Sequence, residues 1–145
     1  MKPASISNVP VCEQAQVSEK IEANLLLSLA ETNVQTKNST VVFSATDDDD
    51  QLIGGVTGST SYGWLLVKTL WVSENLRGSG IGKQLMRTIE EQGRKIGCHS
   101  AWLDTSNANA RSFYTKLGYD EFGVLENGLG KEPEHHARWF MKKAL

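Results

Sequence analysis

Val17, Ile21, Leu25 and Leu29 recur every four residues, a spacing that puts them on one stripe of an amphipathic helix. Ahead of them Ile6–Val9 reads as one short strand, and Ser18 or a nearby polar residue as the helix cap. After a loop over Asn33–Ser39, Val41-Val42-Phe43 is β-branched and aromatic, and Leu52-Ile53-Gly54-Gly55-Val56 resumes strand character. Asp47-Asp48-Asp49-Asp50 lies between those runs and reads as a hairpin turn. A second turn over Ser59–Gly63 leads into Trp64–Val72, whose near-continuous apolar content predicts a central strand covered on both faces. Ile81, Leu85, Ile89 and Ile96 mark a second helix, beginning near Gly80 and closed by Gly97 as its C-cap. Ala101-Trp102-Leu103 is a short buried strand. Ser106 or Asn107 then caps a third helix whose Ala110, Phe113, Tyr114 and Leu117 face inward, with Gly118 at its end. Tyr119–Val124 and Arg138–Lys142 complete the set as two strands.

The predicted order is β, α, β, β, β, α, β, α, β, β. Helices alternate with short runs of strands, which predicts a mixed α/β sheet in which a strand–helix–strand crossover makes two strands parallel. A chain of 145 residues, 39% of them hydrophobic, has enough apolar material for one domain over residues 1–145 without metal or disulfide staples. The net charge of −2 excludes a generic nucleic-acid binder, whose footprint is a strongly basic face. No apolar run approaches the ~18–20 residues of a membrane span, and Met1–Asn8 lacks the apolar stretch of a signal peptide. Cys12 and Cys98 are far apart and suit two unpaired thiols in a reducing cytoplasm. The four aspartates lack the spaced ligands and later Glu of an EF-hand, so they read as a solvated turn.

The chemistry concentrates in Arg77-Gly78-Ser79-Gly80-Ile81-Gly82, between the most apolar strand and the second helix. A helix N-terminus carries unpaired N–H groups and partial positive charge, and glycines let an anion approach them closely. The loop should therefore hold a phosphate or pyrophosphate. It is not a Walker A loop, because Gly82-Lys83 is followed by Gln84. It fits a dinucleotide fingerprint poorly, because Lys83 stands where the last glycine belongs.

The R-x-x-G-x-G pattern from Arg77 to Gly82 resembles the acetyl-CoA pyrophosphate loop of the GCN5-related N-acetyltransferases. Leu70-Trp71-Val72 resembles that superfamily's fourth strand, and Asn107–Tyr119 is similar to its N-x-x-A-x-x-F-Y-x-K-x-G-F/Y signature. Gly54–Gly58, Gly63-Trp64-Leu65, Trp102–Thr105 and Phe122–Leu125 look like one branch of small bacterial members. Two stretches depart from that branch, Ser106–Ala110 and Pro133–Arg138, both on the expected acceptor side.

The resemblance implies a mostly antiparallel sheet with a central β-α-β crossover and flanking helices. It also implies acetyl-CoA as cosubstrate, without a metal. A primary amine of a small molecule or peptide would attack the thioester, and a homodimer would be in keeping with the family. Arg77, Gly78, Ser79, Gly80, Ile81, Gly82 and Lys83 would then hold the pyrophosphate, Leu70 and Val72 the pantetheine and the oxyanion, and Asn107 and Tyr114 the rest of the cofactor pocket. The family's fourth and fifth strands splay so that pantetheine lies between them. Tyr114 matches the position of the family's acid, and its phenol stays protonated at neutral pH. It also fits a core aromatic, and Asn107 equally fits a helix cap. No acid lies within Leu65–Val72 to act as base, which leaves Asp104, His136 or water. Glu121, Glu126, Glu132 and Glu134 would favour a cationic acceptor if they edged the cleft. A non-catalytic acyl-CoA sensor and a nucleotide-binding oxidoreductase module are the rivals.

Overall fold

The computed structural model describes residues 2–33 and 37–145. The chain divides into two compact units, Met1–Gln35 and Thr36–Leu145. In the first, a 3-10 turn over Val11–Glu13 runs into helix α1 (Gln14–Thr32). The expected stripe Val17–Leu29 lies on this helix, but Ser18 is inside it and caps nothing. The strand expected at Ile6–Val9 does not form. Pro3 and Pro10 bracket that segment and offer no N–H to a ladder. Pro10 instead accepts from Glu13 N–H at 2.9 Å and starts the turn. Of the loop expected over Asn33–Ser39, residues 34–36 lie outside the described residues.

The second unit is built on a six-stranded sheet of order β1-β2-β3-β4-β6-β5. Its strands are β1 (Ser39–Thr46), β2 (Leu52–Ser61), β3 (Trp64–Val72), β4 (Ser100–Thr105), β5 (Asp120–Glu126) and β6 (Ala137–Ala144). Helix α2 (Ile81–Ile96) carries the chain from β3 to β4, the one parallel pair among the described residues, and α3 (Ala108–Lys116) joins β4 to β5. The aspartates form the expected turn between β1 and β2. Asp47 Oδ1 accepts from Asp49 N–H and Gln51 N–H, both at 2.9 Å, the self-made turn that aspartate favours.

Strand alternation and helix spacing converge on one core. Val56 and Leu65 from the sheet meet Met86 and Ile89 from α2, all fully buried, and Leu103, Tyr119 and Met141 extend the core toward α3. Each such side chain contributes roughly 1.5–3 kcal/mol. Close packing also explains a glycine, since a Cβ on Gly58 would stand 2.6 Å from Leu66 O and 3.0 Å from Ile89 Cδ1. One charge enters this core. Glu90 on α2 is 3% exposed, and both its oxygens are satisfied, by Lys143 Nζ at 2.7 Å and Tyr119 OH at 3.0 Å.

β3 is central in the sheet, yet it is not covered on both faces as its composition predicts. Leu65 and Val67 are buried, whereas Lys68, Thr69 and Trp71 are exposed. Two features cause this. The β2–β3 register shifts between Thr57 and Gly58, which pair with Thr69 and Val67 and leave Lys68 as the extra residue of a bulge. β3 also pairs with β4 only over Trp64–Leu66 and Ser100–Trp102. Beyond Leu66 the two parallel strands separate.

Candidate active-site cleft

The separation of β3 and β4 opens a cleft of about 960 Å³. Val67–Val72 line it from β3, Leu103–Asn107 from β4 and the turn after it, and Phe113 and Tyr114 from α3. The far end is closed by Leu76, Arg77, Gly78, Gly80, Gly82 and Lys83, and Arg138 enters from β6. From Val67 onward the edge of β3 that faces β4 has no ladder partner there, so its backbone is available to a bound molecule.

The glycine loop is built as its sequence requires. Gly78 and Gly80 have φ of +81° and +94°, the left-handed region that glycine enters without strain. A Cβ at either position would meet no protein atom within 4 Å, so both border open space. Gly80 is the N-cap of α2, and its carbonyl takes the first helical bond from Gln84 N–H at 3.0 Å. The first-turn N–H groups have no intrahelical acceptor and form the positive end of a 16-residue helix. A pyrophosphate fits this cradle in charge and in clearance.

The expected loop residues separate into distinct tasks. Arg77 Nε donates to Val72 O at 3.2 Å and so ties the loop to the end of β3. Ser79 turns back to Leu76 O and lies outside the lining of this cleft, as does Ile81, which borders a shallower groove beside β1. Gly82 lines the cleft, and a Cβ there would stand 3.4 Å from Phe113 Cζ, in ordinary van der Waals contact. Lys83 lines the cleft, as do Leu70 and Val72.

Asn107 caps α3, its Oδ1 accepting from Asn109 N–H at 2.8 Å and Ala110 N–H at 3.1 Å. The cap commits the oxygen and leaves the Nδ2 amide for the cleft. Tyr114 is 8% exposed and packs edge-on against both Phe113 and Tyr119. It is therefore a core aromatic and a cleft residue at once. Burial pushes its phenol above the ordinary value, so it is held neutral.

The two candidate bases part company. Asp104 lines the cleft and pairs with Arg138 at 3.5 Å, whereas His136 lies behind Ser106, its Nε2 at 3.4 Å from Ser106 Oγ, outside the lining. The C-terminal glutamates do not edge the cleft. Glu121 is held by Arg111 at 2.6 Å, and Glu134 accepts from Gly130 N–H at 2.6 Å. Among the described lining residues Asp104 is the sole acid. Arg138, Lys68, Thr69 and Leu76 are lining residues that sequence reasoning did not single out. Arg138 could have been found from strand alternation, had the β4–β6 register been known. Among the described residues no group of three or more His, Cys, Asp or Glu is arranged to hold a metal, and no helix is long and apolar enough to cross a membrane.

The model of the acetyltransferase (GNAT) family matches residues 11–119. The chain belongs to this family. An acetyltransferase of Agrobacterium fabrum is 42% identical over 79 residues, which are 54% of this chain and 58% of that protein. A blasticidin-S acetyltransferase of Streptomyces morookaense is 36% identical over 70 residues, 48% of this chain and 52% of that protein. The chain thus spans little more than half the length of the curated relatives it matches. Solved structures of the GNAT fold follow it much further. A candidate acetyltransferase from Agrobacterium tumefaciens has a TM-score of 0.83 at 27% identity, with 99% of this chain and 100% of that one covered. An acetyltransferase from Bacillus cereus ATCC 14579 has a TM-score of 0.79 at 30% identity, with 98% of each chain covered. The GNAT fold implied by the loop and the Asn107–Tyr119 signature is the fold found, one strand short at the N-terminus.

Proposed function

We propose that this GNAT chain is an N-acetyltransferase that moves the acetyl group of acetyl-CoA to a primary amine. Residues 1–145 would work as one functional domain. The observation that carries the reading is the joining of the β3–β4 cleft to the glycine cradle at the N-terminus of α2, with Tyr114 inside the same cleft. A neighbour of the same fold, at 18% identity and a TM-score of 0.65, is a Bacillus anthracis protein crystallised in complex with acetyl coenzyme A.

In this reading the cradle and Lys83 hold the pyrophosphate, and the unpaired edge of β3 around Leu70 and Val72 holds the pantetheine. Arg77 keeps the loop against Val72. Backbone N–H groups near Val72 face the oxyanion, and donors of this kind are worth about 2.7–4 kcal/mol each. Tyr114 donates to the departing sulfur. The acceptor must shed a proton, because exposing the lone pair of an alkylamine near pH 7.4 costs roughly 4 kcal/mol. With no acid on the cleft edge of β3, that proton leaves through Asp104 or water.

Two relatives act on small molecules, the blasticidin-S acetyltransferase and a streptothricin acetyltransferase of Streptomyces lavendulae. They support a small-molecule acceptor. The same reading expects a cytoplasmic bacterial enzyme and a homodimer.

Calorimetric titration with acetyl-CoA, with NADH and ATP as controls, tests the core of the proposal. Micromolar binding of acetyl-CoA alone, followed by thiol release on addition of amines, is the expected result. Binding without release from any amine would favour the acyl-CoA sensor. A folded chain that ignores acetyl-CoA would remove the glycine loop from the argument altogether.

A further inference from the structure

We propose that Asp104 is the group on which the acceptor's amine docks and that the acceptor is a cation, with Arg138 holding the Asp104 carboxylate in place. The inference rests on the acetyltransferase reading above and names the substrate class of the same cleft.

Strand alternation sets the geometry. Leu103 and Met141 face each other across β4 and β6, and each is 1% exposed in the core. Successive side chains point to opposite faces of a sheet. Asp104, next after Leu103, therefore points away from the core, and so does its register partner Phe140. Arg138 lies two residues before Phe140, on that same outer face and diagonal to Asp104. The two charges meet there, Arg138 Nε at 3.5 Å from Asp104 Oδ2. Tyr114 belongs to the core side. The cleft thus carries the thiolate's donor on one face of the sheet and a carboxylate on the other. An amine that reaches the thioester from the side opposite Tyr114 meets Asp104.

Lys68, Arg77, Lys83 and Arg138 are the cations among the described lining residues, against Asp104 as the one acid. Arg77 and Lys83 stand at the phosphate end, where a polyanionic cosubstrate offsets them. That leaves Lys68 and Arg138 against Asp104, and Asp104 is the one group among the described lining residues that can pair with an ammonium. Asp104 is 36% exposed at its side chain and pairs with Arg138 through one oxygen, so Oδ1 retains capacity for an ammonium N–H.

The test measures thiol release by the full chain at saturating acetyl-CoA. The amines are spermidine and an aminoglycoside as polycations, benzylamine, and gamma-aminobutyrate as an amine that carries a carboxylate. The polycations should be turned over best. Asp104→Asn should raise their KM by about tenfold or more, with the Kd of acetyl-CoA unchanged, and Asp104→Glu should retain the preference for cations. A circular-dichroism melt checks folding. Should the Asn variant fail to fold, Arg138→Gln carries the test, and it must raise the amine KM while leaving the acetyl-CoA Kd alone. The proposal is overturned by an unchanged KM in a folded Asp104→Asn chain, by preference for gamma-aminobutyrate, or by no release from any of these amines when acetyl-CoA binds. Failure of the wild-type chain to bind acetyl-CoA is a separate result, and it overturns the acetyltransferase reading beneath this one.

Discussion

Tyr114 sits where two demands meet, filling the core beside Tyr119 and facing the cleft beside Phe113. Burial raises its phenol above the usual 10. Holding the phenolic proton more tightly makes its complete transfer to a departing thiolate less favourable. A hydrogen bond donated to the sulfur as charge develops requires no such transfer. In the proposed reaction Tyr114 would then act as an electrostatic donor to the leaving group, and the proton that finally reaches the thiol would come from the acetylated amine or from water. Tyr114→Phe keeps the ring packing and removes only the hydroxyl. It should lower kcat by about a hundredfold and leave the acetyl-CoA Kd, measured by calorimetry, within about twofold. An unaltered kcat would take Tyr114 out of the chemistry and leave it as a core residue.

At the scale of elements, the loop and helix α2 were readable because their signals are local. Gly80 and Gly97 bracket an i, i+4 apolar stripe, and Gly97 N–H closes the helix on Arg94 O at 3.0 Å and Gly93 O at 3.1 Å. The β1–β2 turn was readable for the same reason. What was hidden depends on partners distant in sequence. Composition makes Trp64–Val72 look uniformly buried, but its pairing with β4 stops at Leu66, and a bulge at Lys68 turns the second half into a cleft wall. Arg138 faces Asp104 only because of the β4–β6 register. Glu90 looks like a surface residue of α2 until Lys143 arrives from β6 and Tyr119 from the chain just ahead of β5. Ile6–Val9 failed in the opposite way, its apolar letters outweighing two flanking prolines. The loop itself yields a prediction. Gly80→Glu puts a carboxylate into the open space beside the cradle and a side chain at a φ of +94°. Like-charge repulsion and lost clearance should weaken acetyl-CoA binding by at least about a hundredfold, while the left-handed strain costs the fold only about 1–2 kcal/mol. Calorimetry on the folded variant checks this, and retained affinity would count against the loop as the phosphate site.

For the molecule as a whole, the Glu90 network links α2 to β6 and to the chain just ahead of β5 through one buried carboxylate. Tyr119, 1% exposed, has its phenol pushed far above the ordinary range, first by burial and then by the charge and the hydrogen bond of Glu90. Tyr114 adds to that shift and Arg94 opposes it, while Lys143 Nζ stands 5.5 Å from the Tyr119 ring. Stability inherits the sign of these shifts. Below about pH 10 both phenols are neutral in the folded and the unfolded chain, and their contribution is fully present. Above that, the unfolded chain releases its phenolic protons while the folded chain retains them. The unfolded state then binds fewer protons, and folding stability falls as pH rises toward the folded values. Tyr119→Phe removes one of the two titrations together with the hydrogen bond to Glu90. It should be less stable than wild type at about pH 8, by roughly 1.5–3 kcal/mol. Between about pH 10 and about pH 11.5 it should lose less further stability than wild type does. Chemical denaturation of both chains at these pH values separates the two effects. Parallel losses above pH 10 would mean that Tyr119 does not carry the alkaline transition.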